Sequence, residues 1–129
     1  MPSHSAVDLG VEPTPGGAEL AWARGQVVVA SSAVLQVPPL GPVSVKTRDL
    51  ESFAADTRAL RRFGFHGRAC IHPRQVDAVR TVYEPTPDEI AWARDVLARL
   101  DEARGGAVVD ASGRMLDEAV ARRARVILG

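Results

Sequence analysis

Hydrophobic positions in the first two thirds of the chain alternate between long segments with helical spacing and short apolar runs. The predicted elements are, in order, a helix at 19–35, a strand at 43–45, a helix from Asp49 to Gly64, a strand at 68–71 and a helix from Pro73 to Tyr83. This order predicts parallel βα units joined by right-handed crossovers. The β-branched residues at 27–29 favour a strand, but the segment at 19–35 is too long and uninterrupted for one, so we expect a buried helix in which Trp22 packs against neighbouring residues.

The pattern changes after Pro85. Thr86 is followed by a proline and, three residues on, by Glu89, which predicts a capping box at the start of a helix. The apolar face of this helix contains Ile90, Ala93, Leu97 and Leu100. Apolar runs at 107–109 and 114–116 flank the turn residues 110–113 and predict a β-hairpin, after which a last helix begins at Asp117.

The βα units of residues 1–84 are too few to close a parallel sheet. A closed βα barrel needs eight units and about 250 residues, whereas this sequence has 129 residues. An isolated sheet of two or three strands would leave both edges open. We therefore expect this sequence to be part of a larger fold; the alternative is a small α/β binding domain that folds alone, which predicts a cooperative unfolding transition.

Composition excludes several classes of partner. The formal net charge is zero and the pI is about 6.8, which favours neither nucleic acid nor an anionic membrane surface. No run approaches the roughly 18 apolar residues that span a bilayer, and the first residues do not resemble a signal peptide. Cys70 is the single cysteine, so no disulfide framework is expected. These features predict a cytoplasmic protein.

Several motifs resemble the HpcH/HpaI aldolase/citrate lyase family, in particular citrate lyase beta subunits and malyl-CoA lyases. They are the DLGVE run at 8–12, the GFHGRACIHPRQV block at 64–76, the PTPDEIAWAR run at 85–94 and GRMLD at 113–117. The resemblance covers essentially the whole sequence, with the motifs in the family's order and spacing. The two central blocks are specific, so that a chance match to both is improbable.

The resemblance implies an α/β fold that is the C-terminal part of a TIM (β/α)8 barrel. Residues 1–84 would supply the last βα units of this incomplete barrel. Residues 85–129 would form a C-terminal helical extension, with a small hairpin, that contacts a neighbouring subunit. It further implies an acyl-CoA thioester substrate, Mg²⁺, and assembly as a homo-trimer or homo-hexamer. The family's reaction makes or breaks a carbon–carbon bond in a 3-hydroxyacyl-CoA of the citryl-CoA or malyl-CoA type, and some members also hydrolyse the thioester.

The resemblance leaves the Mg²⁺ site incomplete. In the family a Glu and an Asp hold the metal and an early Arg grips the substrate, and the Glu and Arg belong to a part of the barrel that this sequence does not match. His4 aligns with the family's Asp, and an imidazole is a poor Mg²⁺ ligand. Asp8 is the candidate metal ligand if the turn is shortened; otherwise it caps that turn.

Three other residues are candidates for the site. By resemblance, Asp117 reaches the adjacent subunit's site and acts in proton transfer or water activation; it also fits the N-cap of the last helix, and the two roles are compatible. His72, at the end of a predicted barrel strand, could line a CoA cleft, with Arg74 near a phosphate. The alternative is that His72 and Pro73 only shape the turn into the next helix.

Two functions follow from these features. The first is a part of a Mg²⁺-dependent acyl-CoA lyase that is inactive alone, because most of the active site is missing. The alternative is a non-catalytic remnant or assembly partner that retains only the subunit-packing surface.

Overall fold

The computed structural model describes residues 8–12, 14, 16–34, 37–103, 108–110 and 112–129. The chain divides into two compact units, Met1–Glu84 and Pro85–Gly129. His4 lies outside the described residues. Among the helices that are described, none combines the length and apolar character needed to cross a membrane.

The first unit contains the three predicted helices. They are α1 (Ala21–Val34), preceded by a 3-10 turn at Ala18–Leu20, α2 (Leu50–Phe63) and α3 (Pro73–Tyr83). Helix α2 begins where the Asp49 carboxylate accepts a hydrogen bond from the Ser52 amide at 3.0 Å, and it ends at Gly64, whose φ is 102°. Both ends are as predicted, because a carboxylate cap and a left-handed glycine are local signals.

Helix α2 supplies much of the first unit's core. Phe53, Thr57 and Leu60 follow one another at helical spacing and are 0 to 1% exposed. The Thr57 hydroxyl donates to the Phe53 carbonyl oxygen at 2.7 Å, so the buried polar group is satisfied. Leu20, Phe65 and Val82 are the other buried apolar residues described in this unit.

The two strands predicted at 43–45 and 68–71 are not formed in the described structure. The segments meet in one parallel bridge, Gly41 with Arg68. The Gly41 amide donates to the Gly67 carbonyl oxygen at 2.9 Å, and the Ala69 amide donates to the Gly41 carbonyl oxygen at 3.2 Å. A Cβ at Gly41 would lie 2.7 Å from Leu60 Cδ1, so this close approach requires glycine.

The predicted burial of α1 is wrong, although the helix itself is confirmed. None of its residues, all of which are described, is buried. Val28 lies against Gly64, and the Ser31 hydroxyl donates to the Val37 carbonyl oxygen at 2.7 Å. Trp22, which was expected to pack, is 76% exposed, and Val34 is 78% exposed. The segment's apolar sequence predicted burial, but burial depends on what lies opposite a helix.

The second unit is a helix, a hairpin and a helix. They are α4 (Pro87–Glu102), β1 (Val108–Val109), β2 (Met115–Leu116) and α5 (Glu118–Leu128). The capping box predicted at Thr86 is present: its hydroxyl accepts from the Glu89 amide at 3.1 Å, and its own amide donates to the Glu89 carboxylate at 2.9 Å.

The predicted hairpin is also present, as an antiparallel pair in which Val108 lies opposite Leu116. The buried cluster of this unit comes from both helices and from β2. It contains Ala93, Val96, Leu116 and Ala124. The hairpin is therefore fixed to the helices by Leu116, which is 6% exposed.

Candidate functional site

His72 lies at the carboxyl end of the segment that bridges to Gly41, and it caps α3. Its Nδ1 accepts a hydrogen bond from the Arg74 amide at 3.2 Å. The turn-shaping role considered for His72 is therefore present. Because Nδ1 accepts, the neutral imidazole carries its proton on Nε2, which can donate to a ligand. His72 is exposed, so a role in lining a CoA cleft stays a prediction.

Arg74 lies in the first turn of α3 and is exposed. The amino end of a helix carries a partial positive charge, and the guanidinium adds a full charge at the same end. Such an arrangement suits an anionic group. The phosphate contact expected for Arg74 stays a prediction.

Gln75 is a residue that the sequence analysis did not single out. It is 0% exposed, and its carboxamide connects two segments of the first unit. Nε2 donates to the carbonyl oxygens of Ser44 at 2.9 Å and Lys46 at 3.1 Å. Oε1 accepts from the amides of Ile71 at 2.9 Å and His72 at 3.2 Å. Its spacing with Val79 and Val82 on α3 was the available signal for a buried position.

Lys46 attaches the neighbouring loop to α2. Its ammonium lies 2.8 Å from the Asp56 carboxylate and 2.7 Å from the Ser52 hydroxyl. Both partners of the ion pair are more than a third exposed, so its contribution to stability is small. The ion pair connects α2 to the loop whose carbonyl oxygens accept the hydrogen bonds of Gln75.

Arg68 holds the opposite end of the paired segments. Its guanidinium lies 4.6 Å from the centre of the Phe53 ring. Nε donates to the Pro42 carbonyl oxygen at 2.8 Å, and Nη1 donates to the Thr57 hydroxyl at 3.1 Å. Burial lowers the pKa of Arg68 from its usual value. The amino ends of the two segments are thereby joined to the core of α2.

Asp117 lies between β2 and α5 in the second unit. Its Oδ1 accepts a hydrogen bond from the Val120 amide at 2.9 Å, so it caps α5. The residue is exposed, which leaves its carboxylate accessible to another molecule. The cap is thus observed, and the expected role in proton transfer stays a prediction.

The second unit also contains an open groove of about 440 Å³. Its lining includes Trp92, Met115 and Arg123. The Arg123 guanidinium lies 5.4 Å from the Trp92 ring centre, so Arg123 contacts an aromatic face. Asp117 is not among the residues that line the groove.

Asp8 is the weakest of the expected site residues. It is exposed beside Gly10, whose φ is 65°. Within the described ranges, no group of three or more His, Cys, Asp or Glu residues could hold a metal ion. Because Mg²⁺ requires several oxygen ligands in near-octahedral geometry, these residues do not by themselves form a site for it.

Comparison with known proteins shows relatives of one kind. No protein-family model matches the chain. It is 37% identical over 123 residues to the citrate lyase subunit beta-like protein of Deinococcus radiodurans, and the match covers 94% of this chain and 43% of the relative. It is 33% identical over 109 residues to the L-malyl-CoA/beta-methylmalyl-CoA lyase of Cereibacter sphaeroides, and this match covers 83% of this chain and 34% of the relative.

A solved structure has the same fold. The CitE protein of Mycobacterium tuberculosis, crystallised with magnesium, acetoacetate and coenzyme A, is 30% identical with a TM-score of 0.74. The match covers 95% of this chain and 47% of CitE. The chain spans about 40% of the length of the first curated relatives that it matches. It therefore belongs to the family of citrate lyase beta subunits and malyl-CoA lyases, and its α/β fold is the C-terminal part of that family's TIM barrel with a helical, hairpin-containing extension.

Proposed function

We propose that this chain forms part of a Mg²⁺-dependent acyl-CoA lyase that cleaves or forms a carbon–carbon bond in a 3-hydroxyacyl-CoA of the citryl-CoA or malyl-CoA type. The likeness to CitE in complex with magnesium, acetoacetate and coenzyme A carries this proposal. The curated relatives named as citrate lyase subunits and malyl-CoA lyases support it.

The proposal includes a division of the active site. Since the described residues contain no cluster of three or more His, Cys, Asp or Glu side chains that could hold a metal ion, most of the Mg²⁺ ligands are expected on polypeptide that corresponds to the rest of the relatives' length. Asp8 is then at most one ligand of that site. The described part of this chain would contribute the contacts to CoA and a proton-transfer group.

The surface of α1 supports a larger assembly. Trp22 and Val29 lie seven residues apart, on the same face of the helix, and are 76% and 64% exposed. Val27 and Val34 of the same helix are also exposed, at 49% and 78%, so α1 presents several large apolar side chains to solvent. Burying apolar surface contributes about 25 cal/mol per Å². We infer that polypeptide beyond the described residues covers the outer face of α1.

Three side chains have proposed roles in the reaction. His72, through Nε2, and Arg74 would bind the CoA portion, where cationic and donor groups suit phosphate and amide oxygens. Asp117 would move a proton in the site of an adjacent subunit of a homo-trimer or homo-hexamer. Its cap uses Oδ1, so Oδ2 can perform this role without loss of the helix start.

Activity tests this division directly. We expect the purified chain to cleave neither malyl-CoA nor citryl-CoA in the presence of Mg²⁺. A fusion that places the N-terminal segment of the Deinococcus relative before this chain is expected to show Mg²⁺-dependent cleavage. Thioester cleavage by the chain alone would contradict the proposed division, and a folded fusion that binds CoA without turnover would favour the non-catalytic assembly partner.

Asp117→Asn in the same fusion distinguishes the helix-capping role of Asp117 from its proposed role in proton transfer. Asparagine also caps helices, so the stability of the fusion should not change. Loss of a general acid or base costs about 10²- to 10⁴-fold in kcat, and a decrease in that range is expected. Asp101→Asn is the matched control, because Asp101 is exposed on α4 in the same unit. Equal activity of the two variants would leave Asp117 with the cap alone.

A further inference from the structure

The carboxamide of Gln75 lies between two chain segments and binds backbone groups of both. The segments are bonded directly at Gly41 and Arg68. A few residues further along, the same segments are connected only through Gln75, which binds the carbonyl oxygens of Ser44 and Lys46 on one side. On the other side it binds the amides of Ile71 and His72.

This side chain therefore bridges the backbone of the two segments. Directly bonded strands lie about 4.8 Å apart, and segments joined through an intervening carboxamide are expected to lie farther apart. Each of its two ends makes two hydrogen bonds, and the residue is fully buried. Glutamine is suited to this position because it has donors at one end and an acceptor at the other.

We propose that Gln75 is a positioning residue that sets the separation of the segments 44–46 and 71–72, and through them the placement of His72. This inference rests on the proposed function, since the carboxyl ends of barrel strands are where such enzymes build their sites. Gln75 acts through the backbone of His72 and needs no contact with substrate. On the other segment, Lys46 pairs with Asp56 of α2.

The first test uses the full chain and requires no activity. Amide hydrogen exchange is compared in the native chain, in Gln75→Ala and in Gln75→Glu. In Gln75→Ala the amides of Ile71 and His72 should exchange roughly tenfold faster or more, the factor that corresponds to one lost hydrogen bond. In Gln75→Glu these amides stay protected, because an acceptor remains, while the amides at 46–47 exchange faster. Unchanged rates at Ile71 and His72 in Gln75→Ala would overturn the inference.

Gln26→Glu is the matched control, because Gln26 is exposed on α1 and undergoes the same chemical change. It should leave every rate unchanged. Amides of α2, the helix that supplies much of the core of the same unit, report whether each variant is folded. If Gln75→Ala does not fold, Gln75→Glu still tests the inference, because it should leave the amides of Ile71 and His72 protected while those at 46–47 exchange faster.

The second test measures kinetics in the fusion described above. His72 is proposed to bind the CoA portion, and loss of a binding contact raises KM while kcat stays similar, so Gln75→Glu should raise KM for the acyl-CoA roughly tenfold or more with a smaller change in kcat. An unaltered KM would overturn the positioning role even where exchange rates change. A parent fusion without activity would instead contradict the proposed function, and the exchange measurement would then decide the role of Gln75 alone.

Discussion

At the scale of single residues, carboxylates of the second unit accept hydrogen bonds from backbone amides where a helix or a turn begins. Asp117 binds the Val120 amide at the start of α5. Asp110 accepts from the amides of Ser112 at 2.8 Å and Arg114 at 3.0 Å, and so closes the hairpin turn. Such bonds require an ionised carboxylate to act at full strength, which makes the hairpin sensitive to acid.

The pKa of Asp110 predicts the pH range of that sensitivity. Hydrogen bonds from the Ser112 hydroxyl and then from backbone amides lower the pKa from its usual value of 3.8 to about 2. A lowered pKa in the folded state means that the ionised form favours folding. The hairpin's stabilisation by Asp110 should therefore be complete above pH 3.8 and be lost as the pH falls through about 2.

NMR titration of the Ser112 and Arg114 amides can measure this transition. Asp110→Asn is the control, since its side chain retains an acceptor but cannot titrate. In that variant the same amides should show no transition between pH 4 and 2. A wild-type carboxyl that titrates at its ordinary value would contradict the prediction.

Residue-level signals were predictable from the sequence where their partners are close in the chain. Asp49, Gly64 and Thr86 were identified because each acts within three or four residues of itself. Gln75 was not identified, because its carbonyl partners on Ser44 and Lys46 lie 31 and 29 residues away. The pattern of a single sequence does not show which residues so far apart in the chain come into contact. The metal-binding role of Asp8, the substrate-binding roles of His72 and Arg74 and the catalytic role of Asp117 stay predictions, because each depends on contacts outside the described residues.

At the scale of elements, helix type was predictable and burial was not. Helices α1, α2 and α3 were each expected, since the local sequence is enough to indicate a helix. Whether α1 is buried depends on the polypeptide opposite it, which its own sequence does not describe. The two predicted strands are not formed. Their direct pairing is limited to the bridge between Gly41 and Arg68, and the backbone groups of Ser44 and Ile71 bond to the Gln75 side chain, a contact that local sequence does not indicate.

The start of α4 offers an element-level prediction. Thr86→Ala removes the side-chain acceptor of the Glu89 amide, which should lower the free energy of unfolding of the second unit by about 1 kcal/mol. Thr81→Ala is the control, because Thr81 is an exposed position within α3. Chemical denaturation followed by Trp92 fluorescence, in a Trp22→Phe background, measures the effect. An equal result for both substitutions would show that the capping box contributes nothing.

At the scale of the whole molecule, the chain corresponds to part of a larger architecture. It spans less than half of CitE while matching it with a TM-score of 0.74. Helix α1, which has no buried residue in the described structure, is where we propose that further polypeptide packs. A surface that becomes covered by a partner has a testable thermodynamic property. The same substitution there should have different effects in the isolated chain and in a completed barrel.

Val29→Thr tests this difference with almost no change in side-chain volume. In the isolated chain Val29 is 64% exposed, so the substitution should change the free energy of unfolding by less than about 0.5 kcal/mol. In the fusion the new hydroxyl would be buried, at a cost of about 1–3 kcal/mol. Val82→Thr is the control, since Val82 is 6% exposed in the chain itself and should be costly in both forms. If Val29→Thr has the same small effect in both, α1 remains at the surface and the added polypeptide packs elsewhere.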